Sequence, residues 1–210
     1  MNSYCFVDGE YEVRNEIKHS VFIATVKGEV DGEGAEEFVR TVRKKYPDAT
    51  RNCYAYISDE FGNATRFSDD GEPGGTAGQP ILDVIKKQGL VKTAIVVTRY
   101  FGGIKLGAGG LVSAYSGAAA DAVRAAVVSK KQECKLLEVG ASYSHYALID
   151  KLTRNNLCKV DSVEYGDNVN AKLFVPADDV ERFTDSICEL TAGRAAVSVD
   201  DGVYYVKLNA

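Results

Sequence analysis

SKKQECKLLEVGASY, residues 129–143, is where the chain changes character. A charged step over Ser129–Glu133 gives way, from Lys135 to Tyr143, to a run that reads as a strand. From here the order continues as β-α-β-β-α-β. Ser144 can cap a helix whose apolar side is Leu148, Ile149 and Leu152. Cys158 to Tyr165 and Asn170 to Val175 read as strands around the Gly166-Asp167-Asn168 turn. Asp178 and Glu181 have capping-box spacing before a helix with Val180, Phe183, Ile187 and Leu190 inward, and Gly193 fits its end. A final strand follows, which Asp201-Gly202 bends or splits into a hairpin. That order predicts a ferredoxin-like βαββαβ domain over residues 134–210, with Ser129–Glu133 as a hinge.

Upstream, over residues 1–130, the pattern is different. Val21, Ile23 and Thr25 alternate with Phe22, Ala24 and Val26, so both faces of that strand are apolar, as in a sheet covered on both sides. Ala35, Phe38, Val39, Val42 and Tyr46 follow a helical rhythm that Pro47-Asp48 stops. Cys53 to Ile57 reads as a strand, and residues 59–79 as a polar, Gly-rich loop. A short helix starts near Pro80 and ends at Gly89. Ala94 to Thr98 reads as a central strand, followed by a Gly-rich turn over 102–110 and an Ala-rich helix to about Val128. The expected fold class is therefore α+β in two domains.

The 210 residues are 45% hydrophobic and 26% charged, an ordinary globular composition with a net charge of −5. That excludes a uniformly basic nucleic-acid coat but not a local basic groove. Residues 1–130 hold 16 Lys+Arg against 17 Asp+Glu, whereas residues 131–210 hold 9 against 13, so the first domain is the better place for anion contact. Five scattered Cys without CxxC spacing predict a reducing, cytoplasmic location. The N-terminus has early acids and no apolar core, so no signal peptide is expected, and no run is long and apolar enough to predict a membrane span.

Ten of the 20 glycines lie between Gly71 and Gly110. The first concentration is SDDGEPGGTAG, residues 68–78. Asp69, Asp70 and Glu72 offer carboxylates beside Gly71, Thr76 and Gly78, which suits a hard cation or an acidic docking edge. The plainer reading is a loop folded on itself, with the acids bonding backbone N–H groups and Thr76 helping to cap the next helix. The second is RYFGGIKLGAGGL, residues 99–111. Arg99 ends a strand. Gly102, Gly103, Gly107, Gly109 and Gly110 surround Lys105 ahead of a helix start, which is the chemistry of an anion site. Tyr100 and Phe101 could present stacking faces to a base. Close packing of helix on sheet explains the same glycines without a ligand. No GK[ST], GxSxG or HExxH pattern is present, and His19 and His145 read as surface or packing residues.

The strings SDDGEPGGTAGQPIL (68–82) and VVTRYFGGIKLGAGGLVSAY (96–115), with KHSVFIA (18–24) and AYI (55–57), resemble the IMPACT family, also called YigZ-like, with a UPF0029-type N-terminal domain. The tail resembles the C-terminal domain of bacterial members. The resemblance implies an N-terminal ribosomal-protein-like, elongation factor G domain IV-like α/β sandwich, and a translation-linked regulatory role. Where the family usually has His before Asn-Cys, this chain has Arg51.

Two functions are carried forward. The first is a non-enzymatic regulator that binds RNA or a ribosome-associated protein through the second loop, with Arg99 and Lys105 on phosphate. The alternative is an enzyme on a phosphorylated small molecule, in which Asp69, Asp70 and Glu72 hold Mg²⁺. No catalytic residue, resident metal or cofactor is assigned, and no membrane partner is expected.

Overall fold

A computed structural model describes residues 3–155 and 158–208. The fold is α+β, with two sheets and five α-helices among the described residues. The chain divides into two compact units, one over Tyr4–Ser129 and one from Lys130 onward together with Ser3.

After β1 (Ser3–Val7), the first unit is built on a five-stranded antiparallel sheet. Its strands are β2 (Glu10–Ile17), β3 (Ser20–Gly28), β4 (Arg51–Ile57), β5 (Thr65–Ser68) and β6 (Thr93–Tyr100), in the order β2-β3-β6-β4-β5. The run of β-branched residues in β6 is buried on both faces because β6 is the middle strand. Strand alternation sorts the two faces. On one, Tyr56, Ala94 and Val96 meet Ala35, Phe38, Val39 and Val42 of α1 (Gly32–Lys45). The expected 3.6-residue rhythm is the buried stripe of that helix, and Asp31 caps it by accepting from the Gly34 N–H. On the other face, Phe22, Ala24, Cys53, Ala55, Ile95 and Val97 are buried under α2 (Gly78–Lys87) and α3 (Gly107–Ala125). Each large apolar side chain so covered contributes about 1.5–3 kcal/mol. β5 corrects the expectation of an irregular segment over 59–79. It is a short edge strand paired with β4, and its four residues are mostly exposed.

The second unit's sheet has the order β7-β9-β8, with β10 and β11 also paired to β7. Here β7 is Val128–Ala141, β8 Lys159–Tyr165, β9 Val169–Pro176, β10 Ala196–Val199 and β11 Tyr204–Lys207. The segment expected as a hinge, 129–133, is strand, because β7 begins at Val128. Leu137, Val139, Ala171, Leu173 and Val175 face α4 (Tyr143–Asn155) and α5 (Val180–Thr191), meeting Ile149, Phe183 and Ile187. Asp201-Gly202 splits the last strand without forming a hairpin. Val199 pairs with Leu137 and Tyr204 with Cys134, so both pieces run along β7 with surplus residues bulged between them. Ser142, not Ser144, accepts from an N–H at the start of α4, that of His145. A 3₁₀ turn over Ala177–Asp179 leads into α5, and Asp179, which directly precedes that helix, makes no side-chain cap.

Candidate functional site

The loop 68–78 is pinned by its own acids. Asp69 accepts at one oxygen from the Ala77 and Gly78 N–H groups, 3.0 and 2.8 Å, and at the other from the Gly75 N–H, 2.9 Å. Burial pushes the Asp69 carboxyl up, but these three donors outweigh it and hold the group below the ordinary aspartate range. Asp70, in left-handed backbone at φ 46°, accepts from the Asn52 N–H and pairs with Arg43 at 2.7 Å. Thr76 donates to the Pro73 carbonyl, 2.7 Å, rather than capping α2. Gly78 is required by space, because a Cβ there would lie 2.8 Å from the Ser68 backbone. Gly71, at φ 87°, passes under the Arg51 guanidinium.

Glu72 reaches inward. Its Oε1 accepts from Arg99 Nη1 at 2.7 Å and from the Tyr115 hydroxyl at 2.8 Å. Both charged side chains are only 7% exposed. The Arg99 guanidinium lies between the rings of Phe22 and Phe101, 5.6 and 5.5 Å from their centroids, and its Nε is buried without a partner. Register explains the grouping. Arg99 pairs with Phe22 across β3 and with Arg51 across β4, on the face that α3 covers with Tyr115. Cys53 lies on the same face, two residues along β4. Burial pushes its thiol up to about 12, so it is inert as a nucleophile. Arg99 is therefore an internal ion-pair partner and not a surface cation, as the phosphate reading required.

The second loop presents the opposite picture. Tyr100 donates to Asp48, 2.9 Å, and the Phe101 N–H donates to Thr50, 3.0 Å, which fixes the end of β6. Beyond it, Phe101 and Ile104 are 47% and 45% exposed. Lys105 is exposed and makes no ion pair among the described residues. Gly103 and Gly107 take positive φ, and Gly107, Gly109 and Gly110 open α3 with no side-chain cap. Gly102 joins this loop to the β2–β3 turn. A Cβ on it would sit 2.0 Å from the His19 carbonyl carbon, and its N–H donates to Ser20 Oγ at 3.1 Å. Lys18 and His19, both in left-handed backbone and exposed, thus stand beside the loop of Lys105. The sequence reads His19 only as a surface or packing residue and does not join it to this loop, because 82 residues separate Ser20 from Gly102.

The Mg²⁺ arrangement does not form. Asp69 faces backbone donors, Asp70 faces Arg43, and Glu72 faces Arg99 and Tyr115. Among the described residues, no three His, Cys, Asp or Glu are grouped to hold a metal ion.

A family model for the Impact N-terminal domain matches residues 18–123. The chain belongs to the IMPACT family. IMPACT family member YvyE of Bacillus subtilis is 34% identical over 199 residues, 95% of this chain and 91% of that protein. IMPACT family member YigZ of Escherichia coli is 34% identical over 196 residues, 92% of this chain and 96% of the relative. A solved structure described as that of a hypothetical protein has a TM-score of 0.61 at 31% identity, covering 96% of this chain and all of the other. A second family model, for a domain of unknown function, matches residues 139–194. The IMPACT match begins at Lys18, so it contains the β2–β3 turn as well as both Gly-rich loops. Among the described residues, no helix of this IMPACT protein is long and apolar enough to cross a membrane.

Proposed function

We propose that this chain is a non-enzymatic, translation-linked regulatory protein that binds RNA through the Gly-rich loop 101–110 and the turn at Lys18–His19. The observation that carries this is the close approach at Gly102, which brings the Lys18–His19 turn beside the loop that holds Lys105 and the exposed Phe101 and Ile104. Cations next to an aromatic face suit a nucleotide strand, the cations taking phosphate and the ring taking a base. The uncapped N–H groups of α3 add donors for phosphate oxygens. Arg99 and Glu72 serve this surface from below, with the guanidinium under the Phe101 ring.

The domain reading goes with it. An IMPACT-type, ribosomal-protein-like sandwich over residues 1–130 is supported by one five-stranded sheet with α1 on one face and α2 and α3 on the other. A ferredoxin-like domain over 134–210 is supported by the antiparallel order β10-β7-β9-β8 with two helices on one face. A cytoplasmic setting, where RNA and ribosomes are the available partners, agrees with five free thiols.

The test is fluorescence anisotropy with labelled single-stranded RNA. Lys105→Ala should weaken binding while leaving thermal unfolding unchanged, and Phe101→Ala should weaken it further, stacking alone being worth about 1–3 kcal/mol per base. Wild-type affinity in both variants would remove the proposal's support. Pull-down of a protein partner that is lost with Lys105→Ala, with no RNA bound, would move the function to a ribosome-associated protein.

A further inference from the structure

Helix α1 and the edge strand β5 enclose a cleft of about 150 Å³ on the face of the sheet away from α3. Glu36, Arg40 and Arg43 reach it from one side of α1, at i, i+4 and i+7. Tyr54 and Tyr56 form its floor, two residues apart on β4, with ring centroids 6.1 Å apart and planes 11° from parallel. Arg66 closes it from β5, where the register sets it opposite Tyr56. The Arg43 guanidinium lies over the Tyr54 ring, 5.7 Å from its centroid.

Three guanidinium groups therefore share this cleft with one carboxylate, in a chain whose net charge is −5. That carboxylate is Glu36, held by Arg66 and approached by Arg40 at 4.0 Å. Arg43 pairs outside the cleft with Asp70, and Arg40 with Glu37. The four lining charges are 42–59% exposed, and ion pairs this exposed are weak and exchange readily. Each guanidinium carries five N–H donors, most of them unused by these pairs.

We infer that this cleft is a binding site for a phosphate monoester, and that Glu36 holds the place the phosphate takes. Planar guanidinium forks match phosphate oxygens in pairs, and a dianion outcompetes a single carboxylate for three of them. The size sets what enters. Pockets that enclose a whole small-molecule ligand run to about 300 Å³ and above. A cleft of about 150 Å³ admits the phosphate group and leaves the rest of the ligand outside. The phosphate could belong to a free metabolite or to the end of an RNA strand, and the chemistry of the site is the same for both. The site shares no residue with the loop 101–110 and stands independently of the RNA reading above.

The test is titration of the full chain with inorganic phosphate, followed by the arginine side-chain Nε–H NMR signals. The signals of Arg40, Arg43 and Arg66 should move together. Arg43→Ala and Arg66→Ala should each weaken phosphate binding by about tenfold, the effect of losing one charge-assisted contact. Glu36→Gln should tighten it, a gain that misfolding cannot imitate. A nucleoside 5′-monophosphate that binds as well as a 5′-phosphorylated oligonucleotide places the source among metabolites. A 5′-phosphorylated oligonucleotide that binds clearly tighter than the nucleoside monophosphate places it at RNA ends. Arginine signals that stay in place, or no gain with Glu36→Gln, would overturn the inference.

Discussion

At the scale of single residues, the acids of the first loop divide their labour, and two of them carry predictions. Glu72 and Arg99 are paired at 2.7 Å with both side chains 7% exposed, so removing one leaves the other buried and uncompensated. Arg99→Ala should cost about 3–5 kcal/mol in urea unfolding, whatever ligand is present. The double variant Arg99→Met with Glu72→Gln should cost less than the sum of its parts, because it removes both charges together. Wild-type stability in Arg99→Ala would return this arginine to the ligand. Asp69 makes the second prediction, through pH. Burial alone would raise its carboxyl, but the N–H groups of Gly75, Gly78 and Ala77 hold it below the ordinary aspartate value of about 3.9. A group with a depressed folded value contributes stability that is present above its unfolded value and lost as pH falls through the folded one. The wild type should therefore lose this contribution below about pH 4, whereas Asp69→Asn, less stable at neutral pH, should lack that acid step. Parallel acid slopes in the two proteins would refute it. The sequence showed that three carboxylates met a chain able to turn tightly. It did not show which acid would turn inward, since that depends on the register that brings Arg99 to Phe22 and Tyr115.

At the scale of elements, the loop and the β2–β3 turn hold each other through Gly102. A methyl group at that position would lie 2.0 Å from the His19 carbonyl carbon, a distance the backbones can relieve only by separating. Gly102→Ala should destabilise by about 1–3 kcal/mol, as overpacking does. It should also weaken RNA binding beyond what Lys105→Ala alone produces, because it parts Lys18 and His19 from the loop. Stability and affinity both unchanged in Gly102→Ala would show that the convergence is not needed. Elements with strong periodicity were legible. The buried stripe of α1 and the β-branched run of β6 both lie where the sequence placed them. Elements held by partners rather than by pattern were not. Strand β5 has four residues, three of them exposed, and exists because β4 offers it an edge. The charged start of β7 reads as a linker in isolation, since Lys130 and Lys131 carry no alternation of apolar and polar residues. The candidate site divides the same way. The Gly-rich strings marked the loops, but its Lys18–His19 half is visible only once the sheet is folded.

At the scale of the whole molecule, charge is distributed unevenly, and the salt dependence of binding reports where the contacts are. The chain carries −5 overall, with the deficit concentrated after residue 130. RNA bound by the first unit should respond to the local cations and not to that total. Each phosphate neutralised on a single strand contributes roughly −0.7 to the slope of log affinity against log salt. Removing Lys18 or Lys105 should therefore make the slope shallower by roughly that amount each, and removing both should add. Asp185 and Glu189, exposed on α5 of the second unit, provide the control. Changing them to Asn and Gln makes the chain less acidic by two charges without adding a contact, so it should strengthen binding slightly at low salt and leave the slope unchanged. Isotherms at four or five salt concentrations separate the cases. A slope that follows net charge, moving equally with Asp185→Asn/Glu189→Gln and with Lys105→Ala, would mean diffuse attraction without a defined surface. A slope that moves with the two lysines alone places the phosphates at the end of the sheet where Gly102 meets His19.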